Sequence, residues 1–271
     1  IRAIGRANLG VDLVTYEKSK NDFVACSKYV TSYHSLASKE DLFTYLNSLP
    51  VNQNKQIVIS CADAVTEELN LHREILSEKY IIPGHPLQGR MLELMDKTTM
   101  ISMAARHNIF APKVWHLPED YSKVTFPCIT KALVSSHGGK ADIIICYSKN
   151  ELDSFLKKND DDIFVQSYIN KKEEVQFIGC SLNGGEDIII PGMTKVFRSQ
   201  PNTNTGFLEY GPIDPFYNET VENAKAYIKD CQYSGLFSIE FLRDQDDRIW
   251  FLEINFRNDG NAICVTEAGI N

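Results

Sequence analysis

The sequence contains Phe237-Ser-Ile-Glu-Phe-Leu242 and Phe251-Leu-Glu-Ile-Asn-Phe-Arg257, two runs in which polar and apolar residues alternate. Side chains of a β-strand point alternately to two faces, so each run is typical of a strand with one buried face. The polar run Asp244-Gln-Asp-Asp-Arg248 between them is typical of a turn. The sequence therefore predicts a β-hairpin whose turn is centred between Asp246 and Asp247.

This turn fixes the register of the hairpin, because each cross-strand pair then lies symmetrically about it. The predicted pairs are Glu240 with Glu253, Ser238 with Asn255, and Leu242 with Phe251. The opposite face is wholly apolar and is predicted to belong to the core. Its members are Phe237, Ile239, Phe241, Leu252, Ile254 and Phe256.

The polar face places two carboxylates opposite each other, with their Cβ atoms roughly 5 Å apart. Like charges repel at that distance, so we expect a cation to lie between Glu240 and Glu253. With the amide oxygen of Asn255 they form an oxygen-only ligand set that suits Mg²⁺, and Mn²⁺ as an alternative. A second interpretation is a solvated polar face whose two glutamates point into water. Arg257, on the same face, favours the metal site.

Other candidate phosphate ligands lie upstream of the hairpin. Lys131 ends an apolar strand, where a charge is costly unless it meets a partner. The small-residue loop Ser135-Ser-His-Gly-Gly-Lys140 follows, and its backbone N–H groups would suit a phosphate, although most such loops are plain hairpin turns. Lys97, judged alone, is typical of a solvated helix residue. Lys195 and Arg198 lie beside an apolar strand, where they would either reach phosphate oxygens or decorate an edge.

A candidate nucleotide hinge follows at Gln166-Ser-Tyr-Ile169, which ends a predicted strand and leads into a polar turn with Glu173 and Glu174. Backbone groups at the end of a strand are able to pair with an adenine edge, and a carboxylate there would take ribose hydroxyls. The alternative is an ordinary turn with two solvated glutamates. Neither GxxxxGK[ST] nor GxGxxG occurs in the chain, so phosphate binding of those types is excluded.

Helix and strand patterns alternate in the first part of the chain, which predicts a small parallel α/β unit. Its strands are predicted at residues 11–17 and 56–61 and its helices at 39–49 and 64–78, with a first strand expected before residue 1. A long helix is predicted at 91–107. Further predicted strands are 126–132, 143–146, 163–166, 174–180, 188–190 and 194–197, and further helices are 149–158 and 219–233.

The composition is that of an acidic soluble protein, with 28 basic and 36 acidic side chains and a formal net charge of −8. Non-specific nucleic-acid binding needs a basic surface, so this charge argues against it. The seven cysteines are scattered without a CxxC pair, and they are predicted to be buried, reduced thiols. No apolar stretch approaches the roughly 20 residues of a membrane helix, and we expect a cytoplasmic protein.

Taken in order, these features resemble the ATP-grasp superfamily over nearly the whole chain. The matching runs are Asp96-Lys97 in the helix 91–107, Phe126-Pro-Cys-Ile-Thr-Lys131 with its glycine loop, Val165-Gln-Ser-Tyr-Ile169, Phe237-Ser-Ile-Glu240 and Phe251-Leu-Glu-Ile-Asn-Phe-Arg257. The E-I-N-x-R run after a glutamate-bearing strand is the most specific of them. Within the superfamily, the chain is most similar to carboxylate–amine ligases of the D-aspartate-ligase and carbamoyl-phosphate-synthase kind.

The resemblance implies an α/β (α+β) ATP-grasp fold, in which a parallel pre-ATP-grasp domain precedes two α+β subdomains that sandwich ATP. The implied boundaries are 1–90 for the first domain, 91–126 for a linker helix region, 127–165 for the lid subdomain and 166–271 for the subdomain that binds metal and ATP.

The resemblance also implies roles for individual residues. The phosphates of ATP would contact Lys97, Lys131, Ser136, Gly138 and Lys195; adenine would contact Gln166, Ser167, Tyr168 and Ile169; and Glu174 would bind the ribose. Glu240, Glu253 and Asn255 would hold Mg²⁺ or Mn²⁺, and the catalytic residues would be Lys131 and Arg257, which would steady the transferred phosphoryl group or the acyl-phosphate. Gln166 stands where many members of the superfamily have Glu.

The implied reaction is an ATP-dependent ligation. A small carboxylate is phosphorylated to an acyl-phosphate, which an amine then attacks to give an amide, ADP and phosphate. Two alternatives remain open, a carboxyphosphate-forming enzyme similar to carbamoyl-phosphate synthase and a non-catalytic nucleotide-binding regulatory module. The expected partners are small-molecule carboxylates and amines and, by resemblance, a second copy of the chain in a homodimer, with no nucleic acid or membrane.

Overall fold

The computed structural model describes residues 1–16, 23–132, 143–158, 163–199 and 205–270. Within these ranges the chain forms two parallel strand pairs, a four-stranded sheet and a five-stranded sheet, the last two wholly antiparallel. This mixed architecture confirms the predicted fold class. None of the helices in these ranges is both long and apolar enough to cross a membrane.

The first part of the chain is a small parallel α/β unit, as predicted. Its elements are α1 (Arg2–Arg6), β1 (Val11–Tyr16), β2 (Val30–Leu36), α2 (Asp41–Ser48), β3 (Gln56–Ile57), α3 (Asp63–Leu71), α4 (Arg73–Leu76) and β4 (Tyr80–Ile81). Strand β1 pairs with β2, and β3 pairs with β4, both in parallel. A separate apolar core holds the unit together, formed mainly by Leu42, Leu46, Leu69, Leu76, Tyr80 and Ile82.

Three features of this unit differ from the prediction. Strand β2 was not predicted, because five of its seven residues are exposed and it therefore shows no apolar alternation. The strand predicted at 56–61 pairs only over its first two residues. The helix predicted at 64–78 divides at His72, where the backbone leaves helical geometry at φ −115° and ψ 21°.

The single helix predicted at 91–107 is two helices, α5 (Arg90–Leu94) and α6 (Lys97–Arg106). The break occurs at Asp96, which has an extended backbone, and its carboxylate accepts a hydrogen bond from the Thr99 N–H at 2.8 Å. A side chain that caps a helix in this way satisfies one of its free N–H groups and marks its start. Lys97 is consequently the first residue of α6 rather than an interior residue.

The four-stranded sheet consists of β5 (Val114–His116), β6 (Cys128–Ala132), β7 (Ile144–Cys146) and β8 (Ile163–Ser167), in the order β5-β8-β6-β7. Helix α7 (Lys149–Leu156) packs against it through Leu152. Strand β5 was missed because three residues are too short to show a pattern. The sheet thus begins at Val114, before the boundary at residue 127 predicted for the lid subdomain.

The five-stranded sheet carries the largest apolar core. Its strands are β9 (Lys171–Leu182), β10 (Asp187–Ser199), β11 (Thr205–Gly211), β12 (Gly235–Asp244) and β13 (Ile249–Asn255), in the order β11-β10-β9-β12-β13. Helix α8 (Asn218–Asp230) packs on one face, and the short helix α9 (Ile263–Glu267) follows β13. Met91 of α5 and Met100 of α6 belong to the same core, so both helices of the predicted linker region pack against this sheet. Strand β10 is continuous where two strands were predicted, and β11 was not predicted.

The β12–β13 hairpin confirms the predicted register at its inner end and corrects it near the turn. Ser238 pairs with Asn255 and Glu240 with Glu253, whereas Phe241 pairs with Phe251. The shift arises because the turn has three residues rather than two, closed by a hydrogen bond from Asp244 N–H to Arg248 O of 3.0 Å. A β-bulge at Leu252 absorbs the extra residue.

The bulge changes which side chain reaches the core. Phe251 is 1% exposed and belongs to the main apolar cluster, while Leu252 is half-buried outside it, so the predicted core position of Leu252 was wrong. The remaining five residues of the predicted apolar face are buried as expected. The bulge therefore buries the aromatic ring without moving the two glutamates out of register.

Gly179 shows how tightly the core face of β9 is packed. A Cβ atom there would lie 2.7 Å from the carbonyl oxygen of Ile189 and 2.5 Å from the Phe237 ring. We predict that Gly179→Ala lowers the free energy of unfolding by about 2 kcal/mol, the usual size of overpacking. Gly211→Ala is the control, since a Cβ at Gly211 meets nothing within 4 Å. Urea unfolding followed by circular dichroism measures both, and equal stabilities would contradict the packing described.

The cysteines are all free, but they are not all buried. Cys26 and Cys61 are exposed, which corrects the prediction, while Cys128, Cys146 and Cys231 are buried and Cys180 and Cys264 are intermediate. Cys128 and Cys146 face each other across β6 and β7. Burial raises the pKa of Cys128 to about 12 and also raises the pKa of Cys146.

These environments predict a clear order of thiol reactivity. Only the thiolate is nucleophilic, and a raised pKa keeps Cys128 and Cys146 protonated at pH 8. We predict that Ellman's reagent at pH 8 labels Cys26 and Cys61 first, with the sites identified by mass spectrometry. In denaturant all seven thiols should react. Early labelling of Cys128 in the native protein would contradict this description of the sheet.

Candidate functional site

One row of directly paired side chains crosses all five strands of the large sheet. The polar row consists of Tyr210, Thr194, Gln176, Glu240 and Glu253, from β11 to β13 in sheet order. Their sequence neighbours Val175, Phe177, Ile239, Phe241 and Ile254 lie in the apolar core. The polar row therefore lies on the face of the sheet opposite α8.

Glu240 and Glu253 form the centre of the site. They are direct cross-strand partners and both are half-buried, as the sequence predicted. Oε1 of Glu240 accepts a hydrogen bond from Gln176 Nε2 at 3.2 Å and a longer one from Asn255 Nδ2 at 3.5 Å. Two neutral amide donors thus face one of two adjacent carboxylates.

Asn255 connects the carboxylates to Arg257. Its side chain is buried, and Nδ2 also donates to Ser238 Oγ at 3.3 Å. Its Oδ1 accepts a hydrogen bond from Arg257 Nη2 at 3.0 Å. The amide oxygen predicted to bind metal therefore faces the guanidinium in this conformation, and the amide nitrogen faces the carboxylate.

Arg257 also joins the large sheet to the first α/β unit. Its Nε donates to Asp63 Oδ1, at the start of α3, at 3.0 Å. Its Nη1 lies 3.7 Å from Oδ2 of the buried Asp259. Asp259 in turn accepts a hydrogen bond from Ser238 Oγ at 3.2 Å. These contacts hold the segment after β13 against the face of the sheet that carries the polar row.

Several residues of this site were missed by the sequence analysis, namely Asp63, Gln176, Asp259 and Asn261. Gln176 lies opposite Glu240 on β9 and accepts a hydrogen bond from Asn261 Nδ2 at 3.1 Å. The register between β9 and β12 would have identified it. Asp63 has no such signal, because it lies 194 positions before Arg257 and on a different unit.

Tyr210 ends the polar row on β11. Its hydroxyl oxygen is buried and has no hydrogen-bond partner among the residues that the structure describes. A Cβ atom on Gly192 would lie 2.6 Å from this oxygen, so only glycine leaves room for the ring. The row therefore combines two carboxylates, an amide and two hydroxyls over an otherwise ordinary antiparallel sheet.

The carboxylate pair fits a hard divalent cation that also binds phosphate. Within the described ranges no three His, Cys, Asp or Glu side chains gather into a metal-binding group. The described residues therefore do not complete the coordination shell of a cation by themselves. Mg²⁺ commonly uses one or two carboxylates and completes its shell with water and substrate phosphates. Glu240 and Glu253, with the Asn255 oxygen if the amide turns, provide that kind of partial shell.

The predicted hinge 166–169 is largely occupied by its own sheet. Gln166 pairs with both neighbouring strands, and its buried side chain donates to Pro112 O at 3.5 Å. The N–H groups of Ser167 and Tyr168 donate to Lys113 O at 2.8 Å and Pro127 O at 3.2 Å. Among the described residues, none accepts from the Ile169 N–H. Ile169 is therefore the residue of the four whose N–H suits an adenine edge.

Glu174 and Lys195 lie on opposite faces of the sheet. Glu174 pairs with Leu242, which puts it on the side of the polar row, and it forms an ion pair with Lys171 at 2.5 Å. Lys195 pairs with the core residue Val175 and contacts acidic groups on the α8 side. Its Nζ lies 3.2 Å from Glu173 Oε1 and 2.8 Å from Asp214 Oδ2.

The ion pairs explain the charge state of Lys195. Burial lowers the pKa of Lys195, but hydrogen bonds to Asp214 and Glu173 outweigh this and leave the pKa above its ordinary value. The hydrogen bond from Lys195 likewise lowers the pKa of Asp214. Since alternate residues of a strand point to opposite faces, Lys195 lies on the face opposite Glu240 and Glu253, and the predicted contact with phosphate stays a prediction.

The remaining predicted phosphate ligands are described only in part. Lys97 is half-buried at the first position of α6, where the helix dipole disfavours a cation unless an anion lies nearby. The backbone of Lys131 lies in β6 opposite Phe164, but its side chain is outside the described part of the chain. Ser136 and Gly138 also lie outside the described residues.

Comparison with known proteins supports a shared fold. No known protein-family model matches the chain. Two curated proteins do: formate-dependent phosphoribosylglycinamide formyltransferase of Bacteroides thetaiotaomicron and D-aspartate ligase of Enterococcus faecium, each 21% identical. The first alignment covers 99% of this chain and 73% of the relative, the second 80% and 56%.

A solved structure gives the same result at lower identity. N5-carboxyaminoimidazole synthetase of Staphylococcus aureus, solved in complex with ADP, superposes with a TM-score of 0.75. It is 17% identical, and the match covers 98% of this chain and 69% of that one. Similarity at this level establishes the arrangement of the sheets and helices.

The placement of Lys195 leads to a test that separates a structural role from nucleotide binding. We predict that Lys195→Met lowers the melting temperature by a few degrees, because Glu173 and Asp214 lose a shared cation. The affinity for Mg·ATP, measured by calorimetry, should stay within about twofold, below the tenfold that 1.4 kcal/mol would produce.

The matched control is Lys225→Met, which removes a half-buried lysine on α8 that forms an ion pair only with Glu222 among the described residues. That variant should change neither property. A large loss of Mg·ATP affinity in Lys195→Met at an unchanged melting temperature would restore the role predicted from the sequence.

Proposed function

The chain has the ATP-grasp fold, and from this premise we propose that it is an ATP-dependent ligase that activates a carboxylate as an acyl-phosphate and joins it to an amine. The observation that carries this proposal is the apposition of Glu240 and Glu253 on the polar row. Two like charges side by side, with an amide and an arginine beside them, suit the binding of a cation together with the phosphates of ATP.

The residues divide into two groups with different tasks. Glu240, Glu253 and Asn255 hold Mg²⁺, or Mn²⁺ in its place, which when bound would neutralise charge on the phosphate oxygens. Arg257 steadies the oxyanions of the transferred phosphoryl group or the acyl-phosphate, since a guanidinium matches such groups in shape and charge. Both tasks reduce repulsion between two anionic reactants, a carboxylate and a phosphate.

The nucleotide lies between the two antiparallel sheets in this proposal. The Ile169 N–H and the Tyr168 carbonyl contact adenine, and Glu174 takes the ribose hydroxyls. Lys97 and Lys131 contact phosphate oxygens, with Ser136 and Gly138 covering them. Support comes from the free N–H of Ile169 within the described residues and from Glu174 on the same face as the polar row.

Replacement of one carboxylate tests the proposal. We predict that Glu253→Gln lowers release of ADP by at least about 100-fold, the usual loss when a group that stabilises transition-state charge is removed. The substrate screen begins with formate and D-aspartate, since these acids occur in the names of the two relatives. ADP and phosphate should appear together, in amounts that match the amide formed.

The control is Glu209→Gln, an exposed glutamate of the same sheet that pairs across β10 and β11 with Lys195. This variant should keep wild-type turnover, and both variants should keep the wild-type circular dichroism spectrum. Normal turnover in Glu253→Gln would remove the metal assignment. Binding of Mg·ATP without turnover across the whole screen would favour a nucleotide-binding regulatory module.

A carboxyphosphate-forming reaction is the second candidate, because the similar solved structure is named as a carboxyaminoimidazole synthetase. Such an enzyme would use bicarbonate as its acid. Release of ADP that depends on added bicarbonate, and not on any organic acid, would select it.

A further inference from the structure

Arg257 is held by partners from three parts of the chain. Its Nη2 donates to Asn255 in β13, its Nη1 lies near Asp259 in the following segment, and its Nε donates to Asp63 in the first α/β unit. Only the contacts to Asn255 and Asp63 are hydrogen bonds, at 3.0 Å each, since the Asp259 contact is 3.7 Å.

The chemistry of these partners fixes how the Asn255 amide is oriented. Arginine only donates hydrogen bonds, and an ionised carboxylate only accepts them. The amide atom that faces Arg257 must therefore be the oxygen, and the atom that faces Glu240 must be the nitrogen, as the structure has it. In this orientation Asn255 serves Arg257 and offers no oxygen to a cation between the carboxylates.

A cation held by Glu240 and Glu253 reverses this preference. To bind the cation, Asn255 must turn its oxygen toward the carboxylates. The amide NH₂ then faces the guanidinium, and no hydrogen bond forms because both groups are donors. Arg257 consequently loses Asn255 as a partner, and its Nη2 is left on the polar-row side without an acceptor. An oxyanion formed beside the cation would supply that acceptor.

We propose that Asp63 is a positioning residue that keeps Arg257 beside the polar row when Asn255 turns, so that Nη2 binds the oxyanion. The inference rests on the proposed function and adds to it a residue from a different unit. Asp63 is suited to this task because it accepts from Nε, which leaves the N–H groups at the Nη1–Nη2 end of the guanidinium for other acceptors.

Asp63 is also fixed firmly with respect to Arg257. Thr66, on the same helix, donates through Oγ1 to Phe256 O at 3.2 Å. Asn258 N–H donates to Ser60 O at 2.9 Å. These bonds connect both sides of α3's start to the residues that flank Arg257. The Asp63 side chain is 43% exposed, so its role is more than filling space in a core.

The test measures binding of inorganic phosphate to protein saturated with Mg²⁺ and ADP, by titration calorimetry. We expect Asp63→Asn to weaken phosphate binding about tenfold, the effect of losing a hydrogen bond between charged groups. Its affinity for Mg·ADP and its melting temperature should match the wild type. Asp63→Glu should recover part of the phosphate affinity.

Two further variants make the result specific. Glu67→Gln removes the same charge from the same helix at a half-buried position, and it should bind phosphate as the wild type does. Arg257→Gln should lose phosphate binding to the extent that adding Asp63→Asn causes no further loss, because the two residues act through one contact.

Three outcomes overturn the inference while leaving the proposed function in place. One is wild-type phosphate affinity in Asp63→Asn, and a second is an absence of phosphate binding by wild-type protein that does bind Mg·ADP. The third is an equal loss on adding Asp63→Asn with or without Arg257, since the effect would then not pass through the arginine. Failure of the wild-type protein to bind Mg·ADP would overturn the proposed function and this inference together.

Discussion

The site depends on the repulsion between two carboxylates that the hairpin forces together. Glu240 and Glu253 are direct cross-strand partners, both are half-buried, and the strand pairing keeps their backbones side by side. Amide groups of Gln176 and Asn255 donate to Glu240. Asn255 also links this carboxylate to Arg257, whose Nη2 donates to the amide oxygen.

The polar row and the apolar core that stabilises the large sheet lie on opposite faces of that sheet. One face packs phenylalanine, isoleucine and methionine residues against α5, α6 and α8, and the other presents the polar row. Strong charge pairs also occur on the helix side, where Lys195 binds Glu173 and Asp214, but they are satisfied among themselves. Lys195 follows Thr194 of the polar row in sequence, but its side chain pairs with acidic groups on the opposite face of the sheet.

Patterns with a local physical cause were predictable, and long-range pairings were not. Alternation gave the β12–β13 hairpin, its core face and the opposed glutamates, because a buried face tolerates only one register. The same alternation, applied to β10, would have placed Lys195 on the face opposite the polar row. The three-residue turn was not predicted, since Asp244-Gln-Asp-Asp-Arg248 suits turns of either length. Asp63 could not be found at all, because its partner is set by how two units dock.

The bulge at Leu252 separates two halves of the hairpin whose pairing registers differ by one residue. The extra residue in the turn and the extra residue in β13 compensate each other, so the strands slip by one position only between Phe241 and the tip. The bulge can therefore compensate for the insertion or deletion of a residue near Asp246, so that the pairing of Glu240 with Glu253 is unchanged. Length variation among related chains should accumulate in the outer half of this hairpin, while the inner half keeps a constant length.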